Sequence, residues 1–549
     1  MQAIDALLEV LRTEGVSHVF GNPGSTELPF MDGLAAASDI HYVLALQEAT
    51  AVGMADGYAQ ATGRPAFLNL HTSAGLGNAI GNLTNAQANA TPLVVTAGQQ
   101  DRRHLIADPL LAGNLTELAA PVSKWAREVT RADDLPVLMR RAFHDAASAP
   151  AGPVFVSIPM DLLGDEVDDD AVVPPSTIDR RTIAGRLDEL AALLAEPGPD
   201  GVAIVAADEV TASGATAAVV ALAEALGCRV FGAPLHSSNV FPPSHGAWAG
   251  SLPAMSAGVR QALGTFRRVL LIGDRLLAYP YTPGPAVPPE VELLHLSADA
   301  SRLGRALPTR LGLQGDPKAT LEALLPLVRA TADGTAAGTA AGTALARLAA
   351  ERRSAIDGLE TKARDRYDDL PMHPMAAAHA LVRALPPETP VVDEAITTGT
   401  YVRGFHHTTE PNRYFFCRGG GLGWGMPAAL GVSLGYDRSP VLCVVGDGSA
   451  LYSPQALWTA AHENLPVVFA VVNNRQYLIL KNFLRGMGGG QHGTVGLDLD
   501  QPPVDFVALA HSMGVPGQTV DKATDVGDAV TAALDAGGPH LLELPIAVA

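Results

Sequence analysis

Two polar clusters in the C-terminal third of the sequence follow two apolar runs. The first run, 441–445, ends in the tripeptide GDG at 446–448, and the second, 467–472, ends in the pair NN at 473–474. Between them, residues 454–463 have the pattern of a helix, so the stretch predicts a right-handed βαβ unit with parallel strands. Ligands of such sheets bind beyond the carboxyl ends of the strands. Both polar clusters are expected at those ends.

Asp447 and Asn474 can offer a carboxylate oxygen and an amide oxygen to one hard cation. Mg²⁺ takes roughly six oxygen ligands and usually keeps phosphate oxygens and water among them, so two side-chain oxygens leave room for a diphosphate. Gly448 and Ser449 open the next helix, where free backbone N–H groups can meet phosphate. The alternative explanation is a tight turn after each strand, and for GDG alone it would be the better one.

Three further candidates lie in the N-terminal part, each after a strand pattern. Glu48 precedes a helix pattern, and in isolation it is explained as a carboxylate stabilised by the helix dipole. Ser25 in a turn and His71 after the run 65–70 are explained, in isolation, as a turn hydroxyl and a strand-end side chain. Polar residues that repeatedly follow strands favour one doubly wound domain with a ligand site at the strand ends.

The GDG and NN motifs, with residues 449–472 between them, resemble the signature of thiamine-diphosphate-dependent enzymes. Other stretches resemble benzoylformate decarboxylase and its relatives within that family. They are FGNPGSTELPF (20–30), ALQEATAVGMADGYAQATGRPAFLNLHTSAGLGNAIGNLTNA (45–86), PLVVTAGQQ (92–100), GGGLGWGMPAALGV (419–432), GDGSALYSPQALWTAA (446–461) and NNRQY (473–477). The resemblance is weaker through the middle of the chain.

The resemblance implies a cofactor, thiamine diphosphate, held through Mg²⁺ at the third predicted domain. The implied metal ligands are the side chains of Asp447 and Asn474 and the main-chain carbonyl of Gln476. Leu422 would wedge under the cofactor, and the Gly420 carbonyl would bind its pyrimidine amino group. The full set of implied cofactor-binding residues is Thr397, Gly420, Leu422, Gly448, Ser449 and Tyr477.

The resemblance also implies catalytic roles for the N-terminal candidates. Glu48 would activate the cofactor by a hydrogen bond to its pyrimidine ring, from the opposite subunit, so a homodimer is the minimum assembly and a homotetramer is expected. Ser25 would bind the carboxylate of a 2-oxo acid, and His71 would relay protons. The implied activity is the non-oxidative decarboxylation of a 2-oxo acid to an aldehyde and CO₂.

The implied substrate pocket departs from the family pattern. Its residues would be Ile479, Leu480 and Phe483, and Ile479 stands where related pockets have a small residue. A β-branched side chain narrows a cavity, which argues against a flat aromatic substrate. The relatives' second active-site histidine is also missing, because the comparable stretch 276–284 reads LLAYPYTPG and contains tyrosines instead.

The missing histidine favours one alternative on the same cofactor, a carboligase or lyase that forms or cleaves 2-hydroxyketones and takes aldehydes. Acetolactate-synthase-like chemistry is less favoured, because Ser25 and His71 follow the decarboxylase pattern. The alternative from another class is a non-catalytic cofactor-binding protein. Glu48 argues against it, since binding alone needs no activating acid.

A chain of 549 residues predicts several domains. The expected fold is α/β, with three doubly wound parallel-sheet domains of the thiamine-diphosphate decarboxylase type. We expect a pyrimidine-binding domain at 1–170, a middle domain at 180–330, a linker at 331–360 and a diphosphate- and magnesium-binding domain at 361–549. The linker begins with a Gly/Ala/Thr tract that predicts flexibility. The middle domain has few clustered polar residues at its strand ends and is interpreted as mainly structural.

Composition excludes several classes of partner. The formal net charge of −20 argues against nucleic acid and against anionic membranes. No apolar run approaches the roughly 18 residues of a membrane span. Three cysteines without metal-binding spacing favour reduced thiols and a cytoplasmic location.

Overall fold

The structure, a computed structural model, describes residues 1–548 except 169, 275, 277–282, 333–335, 409 and 411. The chain forms two compact units. The first unit comprises Met1–Ile178, Arg366–Val402 and Cys417–Ala549, and the second comprises Asp179–Asp365 and Arg403–Phe416. Parallel sheets with helices between their strands make up both units, which confirms the predicted fold class.

The first sheet lies within residues 1–178 and has six parallel strands. Its strands are β1 (His18–Gly21), β2 (His41–Leu44), β3 (Ala66–Leu70), β4 (Leu93–Gln99), β5 (Ala126–Glu128) and β6 (Val154–Pro159), and its helices are α1 (Ala3–Thr13), α2 (Leu28–Ala36), α3 (Glu48–Thr62), α4 (Thr72–Asn89), α5 (Leu115–Ala119) and α6 (Leu135–Ala147). The strand order is β2-β1-β3-β4-β6-β5. Strands β3, β4 and β6 are buried throughout, as expected for a sheet covered on both faces.

The second unit contains the second parallel sheet, with order β12-β11-β10-β7-β8-β9. Its elements are α7 (Leu187–Ala195), β7 (Val202–Ala206), α8 (Glu209–Ala212), α9 (Thr216–Leu226), β8 (Arg229–Gly232), β9 (Trp248–Ser251), α10 (Ser256–Leu263), β10 (Arg268–Ile272), β11 (Glu292–Ser297), β12 (Leu311–Gln314), α11 (Pro317–Ala332) and α12 (Ala336–Arg364). The stretch 276–284, where the second histidine is missing from the sequence, falls mostly outside the described residues.

The flexibility predicted for the tract that begins the linker 331–360 is wrong, because residues 331–332 end helix α11 and the residues from 336 onward lie in helix α12. Helix α12 is 29 residues long and includes most of the Gly/Ala/Thr tract. Alanine is the best helix former, and its frequency in this tract outweighs the cost of the interspersed glycines. Residues 333–335 of the predicted linker are outside the described residues.

Polar residues do cluster at strand ends in the second unit, contrary to the expectation. Asp208 Oδ1 accepts hydrogen bonds from the backbone N–H and the hydroxyl of both Ser237 and Ser238, at 2.7 to 3.2 Å. Glu209 accepts from Ser297 Oγ at 2.7 Å, and burial raises the pKa of Glu209 to about 7. The cluster satisfies its own hydrogen bonds, which is what a structural role requires.

The third sheet completes the first unit, where its strands are parallel and ordered β13-β15-β16-β18-β17. The elements from residue 366 onward are α13 (Pro374–Arg383), β13 (Val391–Glu394), α14 (Gly399–Phe405), β14 (Tyr414–Phe416), α15 (Gly425–Gly435), β15 (Val441–Gly446), α16 (Asp447–Ala450), α17 (Gln455–Glu463), β16 (Val467–Asn473), α18 (Leu478–Gly486), α19 (Phe506–Ser512), β17 (Gly517–Thr519), α20 (Ala523–Asp535) and β18 (His540–Pro545). The predicted βαβ unit is confirmed: β15 and β16 are parallel neighbours, and Gly446 pairs with Val472.

Helices α3 and α15 join the first and third sheets within the first unit. A β-carbon at Gly57 or Gly431 would overlap the main chain of the opposite helix, so the two helices touch backbone to backbone. Helix α3 begins at Glu48, and α15 begins just after the glycine-rich loop 419–423. The close packing of the two helices therefore sets the distance between Glu48 and the glycine-rich loop of the same chain.

No helix in the described part of the chain is both long enough and apolar enough to span a bilayer.

Candidate active site

Asp447 and Asn474 lie together at the carboxyl edge of the third sheet. The backbone N–H of Gln476 donates to Asp447 Oδ2 at 3.2 Å and to Asn474 Oδ1 at 3.1 Å, so the two side-chain oxygens converge on one point. Asp447 is buried, and this burial raises the pKa of its carboxyl even though backbone N–H groups donate to it. A cation beside Asp447 would offset the cost of burying its charge.

Two main-chain groups at this edge, expected to bind phosphate and metal, already have hydrogen-bond partners within the chain. The Gly448 N–H donates to Asp447 Oδ1 at 2.9 Å, so the neighbouring carboxylate already takes this donor. The Gln476 carbonyl accepts from the Leu478 N–H at 3.0 Å. A carbonyl oxygen has a second lone pair, so that bond leaves Gln476 able to bind a metal.

A cleft opens beside Asp447. Its lining includes nine of the sequence-predicted site residues: Thr397, Leu422, Asp447, Gly448, Ser449, Asn474, Gln476, Tyr477 and Ile479. The ring of Tyr477 lies so close to Gly448 that a β-carbon there would overlap it. Glycine is therefore required at this point of the wall, because no other residue would leave the aromatic ring in place.

The glycine-rich loop 419–423 is held from one side by Glu394. Glu394 Oε1 accepts from the N–H groups of Gly423 at 2.8 Å and Trp424 at 3.1 Å, and Oε2 accepts from that of Gly425 at 2.8 Å. The loop needs glycine where φ is positive, at Gly420 (75°) and Gly423 (91°). The sequence analysis did not identify this anchoring role of Glu394.

Glu394 makes the stability of the first unit depend on pH. Burial, opposed by its three backbone hydrogen bonds, raises the pKa of Glu394 to about 7. Because the folded-state pKa is raised, the folded protein holds this proton more tightly than the unfolded chain, and stability is lost as pH rises through about 7. Between pH 6 and pH 8 this group alone should remove about 1 kcal/mol of unfolding free energy.

We expect thermal unfolding without added ligands to show that the stability of the wild-type protein depends more on pH than the stability of Glu394→Gln. The wild-type chain should gain more stability than the variant when the pH is lowered from 8 to 6. Contributions of all other groups, including Glu209, are shared by both proteins and cancel in the comparison. Parallel pH profiles for the two proteins would contradict the raised pKa.

Glu48 begins α3 at the carboxyl edge of the first sheet. Gln47 caps the helix by accepting from the Thr50 N–H at 3.1 Å. Both carboxylate oxygens of Glu48 are engaged: Oε1 accepts from Asn22 Nδ2 at 3.1 Å and Oε2 from Asn78 Nδ2 at 3.0 Å. The side chain is therefore oriented by two asparagines that the sequence reasoning did not identify.

His71 lies at the N-terminus of α4, where its Nδ1 is 2.8 Å from Glu27 Oε2. Glu27 is buried and also accepts from the N–H groups of Gly24 and Gly98, both at 2.9 Å. A carboxylate surrounded by donors orients the imidazole so that Nδ1 carries the proton and Nε2 remains for other partners. Ser25, two residues before Glu27, is exposed. Sequence reasoning missed Glu27, although its place in the same turn as Ser25 was a signal.

The three predicted substrate-pocket residues lie on α18, but only one of them lines the cleft. Ile479 lines the cleft and is half-buried, whereas 46% of Leu480 is exposed. Phe483 is half-buried one turn further along. Among the described residues, neither Leu480 nor Phe483 lines the cleft, and neither do Gly420, Ser25, Glu48 or His71.

The residues around the cleft fit a magnesium-bound diphosphate. A carboxylate and an amide oxygen that share one N–H donor have the chemistry and the closeness of two ligands to a hard cation. The described residues contain no group of three or more His, Cys, Asp or Glu side chains that could hold a metal. A site here therefore needs oxygens from amide, main chain or phosphate, which is the usual ligand set of Mg²⁺.

Three family models for thiamine pyrophosphate enzymes match the chain. They are the N-terminal TPP binding domain over residues 1–113, the central domain over 187–324 and the C-terminal TPP binding domain over 397–544. The chain belongs to the thiamine pyrophosphate enzyme family, which confirms the resemblance seen in the GDG and NN motifs.

Individual relatives include decarboxylases and a synthase. Benzoylformate decarboxylase of Pseudomonas aeruginosa is 35% identical over 550 residues, covering 98% of each chain. A solved structure of a thiamine diphosphate-dependent 4-hydroxybenzoylformate decarboxylase from Rhodococcus jostii RHA1 matches with a TM-score of 0.88 and 32% identity, covering 100% of this chain and 99% of that one. The acetolactate synthase isozyme 3 large subunit of Escherichia coli is 27% identical over 548 residues, covering 97% of this chain and 92% of that one.

Proposed function

We propose that the protein is a magnesium- and thiamine-diphosphate-dependent enzyme that decarboxylates a 2-oxo acid to an aldehyde and CO₂. The observation that carries the proposal is the convergence of the Asp447 and Asn474 oxygens on one point beside a cleft. These two residues and the Gln476 carbonyl would hold Mg²⁺. Similarity over nearly the whole chain to a benzoylformate decarboxylase supports the choice of reaction.

Thiamine diphosphate, when bound, supplies an electron sink for the electron pair left on carbon when the carboxylate departs. The chain's own residues have the remaining tasks. Ser25 would bind the substrate carboxylate, and His71, with Nδ1 held by Glu27, would give or take a proton at Nε2. Glu48 would hold a proton at the pyrimidine ring. Thr397, Gly420, Leu422, Ser449 and Tyr477 would hold the cofactor.

The substrate side of the cleft favours a narrow 2-oxo acid. Ile479 lines the cleft directly, and its two branches at Cβ restrict its rotation and the space in front of it. Leu480 and Phe483 would contact the substrate outside this cleft. We therefore propose an aliphatic or branched 2-oxo acid in preference to a flat aromatic one.

Purified protein loaded with thiamine diphosphate and Mg²⁺ should release CO₂ from at least one 2-oxo acid in a panel of aromatic, aliphatic and branched acids. Gas-phase CO₂ detection measures this directly, and aldehyde formation should match it in amount. Treatment with EDTA should abolish release, and added Mg²⁺ should restore it. Absence of CO₂ from every acid would disprove the decarboxylase assignment, while a cofactor-binding assay would test the cofactor separately.

A second candidate is a carboligase that joins aldehydes into 2-hydroxyketones on the same cofactor. The absence of histidine in the sequence of 276–284 favours it, because one proton donor of the related decarboxylases is missing. Chiral hydroxyketone formation from mixed aldehydes, measured beside CO₂ release, separates the two activities. A faster carboligation than decarboxylation would make this the main function.

The proposed assembly is a homodimer at least, and a homotetramer is the expected form. It follows from the resemblance, in which the acid at the position of Glu48 acts on the cofactor of the other subunit. The three cysteines are free and buried, which agrees with the reducing cytoplasm proposed as its location. Sedimentation measurements would show the assembly directly.

A further inference from the structure

Four asparagines of α4 form a row on one side of the helix. They are Asn78, Asn82, Asn85 and Asn89, at intervals of four, three and four residues, which places them on one helical face. Asparagine is a mediocre helix former, and three of the four, Asn82, Asn85 and Asn89, are buried. Burying an amide costs free energy unless it is hydrogen-bonded, so each buried asparagine is expected to have hydrogen-bond partners.

The first half of the row holds the start of α3. Asn78 Nδ2 donates to Glu48 Oε2 at 3.0 Å, and Asn82 Nδ2 donates to the carbonyl of Ala49 at 2.7 Å. Glu48 and the residue after it are thus each fixed by one asparagine. The row therefore reaches the side chain of the proposed activating acid and the main chain of the residue that follows it.

The second half of the row holds the glycine-rich loop. Asn85 Oδ1 accepts from the Gly421 N–H at 3.0 Å, while Asn85 Nδ2 donates to the Gly421 carbonyl at 2.9 Å. Asn89 Oδ1 accepts from the Arg418 N–H at 2.9 Å. A pair of bonds to one residue fixes both the position and the orientation of its peptide groups.

The two halves are themselves connected. Asn85 Nδ2 also donates to Asn82 Oδ1 at 2.8 Å, so the amide that fixes Gly421 touches the amide that fixes Ala49. At the far end, Asn89 Nδ2 donates to Asp56 Oδ2 at 3.1 Å, and Trp424 Nε1 donates to the same oxygen at 2.7 Å. Hydrogen bonds from this one face of α4 therefore reach from Glu48 to Trp424, the residue that follows the loop, and the two central asparagines are bonded to each other.

We propose that this asparagine row fixes the glycine-rich loop, with Asn85 as its positioning residue, and ties the loop to Glu48 of the same chain, which the proposed function assigns to the cofactor of the other subunit. The inference rests on the proposed function, because it assigns the loop and Glu48 to the cofactor. Asn85 itself does not line the cleft among the described residues, so it acts through Gly421 and its neighbours. Fixing the loop before the cofactor arrives lowers the ordering cost of binding.

The test compares full-length Asn85→Ala with Gln87→Ala, which removes an exposed amide from the same helix. Hydrogen exchange of residues 418–423, followed by mass spectrometry without ligands, should be at least about tenfold faster in Asn85→Ala and unchanged in Gln87→Ala, because the two part-buried hydrogen bonds that hold Gly421 are lost. The apparent Kd for thiamine diphosphate, measured by fluorescence titration with Mg²⁺, should rise about tenfold.

Unchanged exchange in 418–423 would overturn the inference, whatever the activity. If Asn85→Ala does not fold, Asn85→Ser serves instead, and it should show faster exchange in the same segment. Faster exchange with an unchanged Kd would also overturn it, because the loop would then not limit cofactor binding. If the wild-type protein binds no thiamine diphosphate, the proposed function fails, and the exchange measurement separates that result from a failure of the row.

Discussion

Replacing Glu48 with glutamine is expected to reduce turnover at least about 100-fold, the range by which positioned acids and bases contribute to catalysis. Glutamine has nearly the same size but cannot give or take the proton that the proposal assigns to Glu48. Binding of thiamine diphosphate and Mg²⁺ should change by less than about threefold, because the proposed magnesium and diphosphate contacts at Asp447, Asn474 and the cleft beside them are unchanged. The measurements are CO₂ release at saturating substrate and a fluorescence titration with the cofactor.

The hydrogen bonds of Glu48 give a second reason to expect lower turnover in Glu48→Gln. Both of its oxygens accept from asparagine amides, so a glutamine must turn its own NH₂ toward Asn22 or Asn78 and lose one bond. Glu9→Gln, an exposed change on α1, is the matched control and should behave like wild type. Turnover above half of the wild-type value in Glu48→Gln would disprove the assigned role.

Replacing Asp447 with asparagine is expected to abolish metal-dependent binding of thiamine diphosphate, with a loss of affinity of at least about 100-fold. The change removes the one carboxylate of the proposed magnesium site, and an amide oxygen is a much weaker ligand for a hard cation. Without ligands the effect on stability should be much smaller. Removing a buried charge, whose burial raises the pKa of Asp447, is offset because the new NH₂ group must face the N–H of Gly448 or Gln476 and lose one bond.

Thermal unfolding with and without thiamine diphosphate and Mg²⁺ measures both effects of Asp447→Asn. Ligands that bind only the folded state raise the unfolding temperature, and the variant should lose this rise. Asp437→Asn, at an exposed position in the turn before β15, is the control and should keep the full rise. A ligand-induced rise of normal size in Asp447→Asn would exclude this residue as a magnesium ligand.

The fold around the third sheet could be predicted because its signals are local. Apolar runs of strand length, the helix pattern between them and the polar residues that end each run are all visible within residues 439–477, and the parallel pairing of β15 and β16 follows from them. The helical character of 336–364 was misjudged for the opposite reason: repeated glycines were weighted more than the alanines around them.

The contacts that orient the candidate side chains could not be predicted in the same way. Glu27 meets His71 across 44 residues, Glu394 meets Gly423 across 29, and Asn85 meets Gly421 across 336. Only the spacing of the four asparagines on α4 was readable in advance, and their partners were not. Hydrogen bonds between distant residues depend on how helices and sheets pack, which no local pattern specifies.

By itself, the sequence determined which chemical groups the protein has and at which strand ends they stand, because strand and helix periodicity and the motifs GDG and NN are properties of neighbouring residues. Only the tertiary structure decided which of those groups meet. The backbone contact of α3 with α15 and the asparagine row of α4 bring the first and third sheets of the first unit together. The physical reason is that close packing and buried hydrogen bonds are satisfied by the whole fold and not by any one segment.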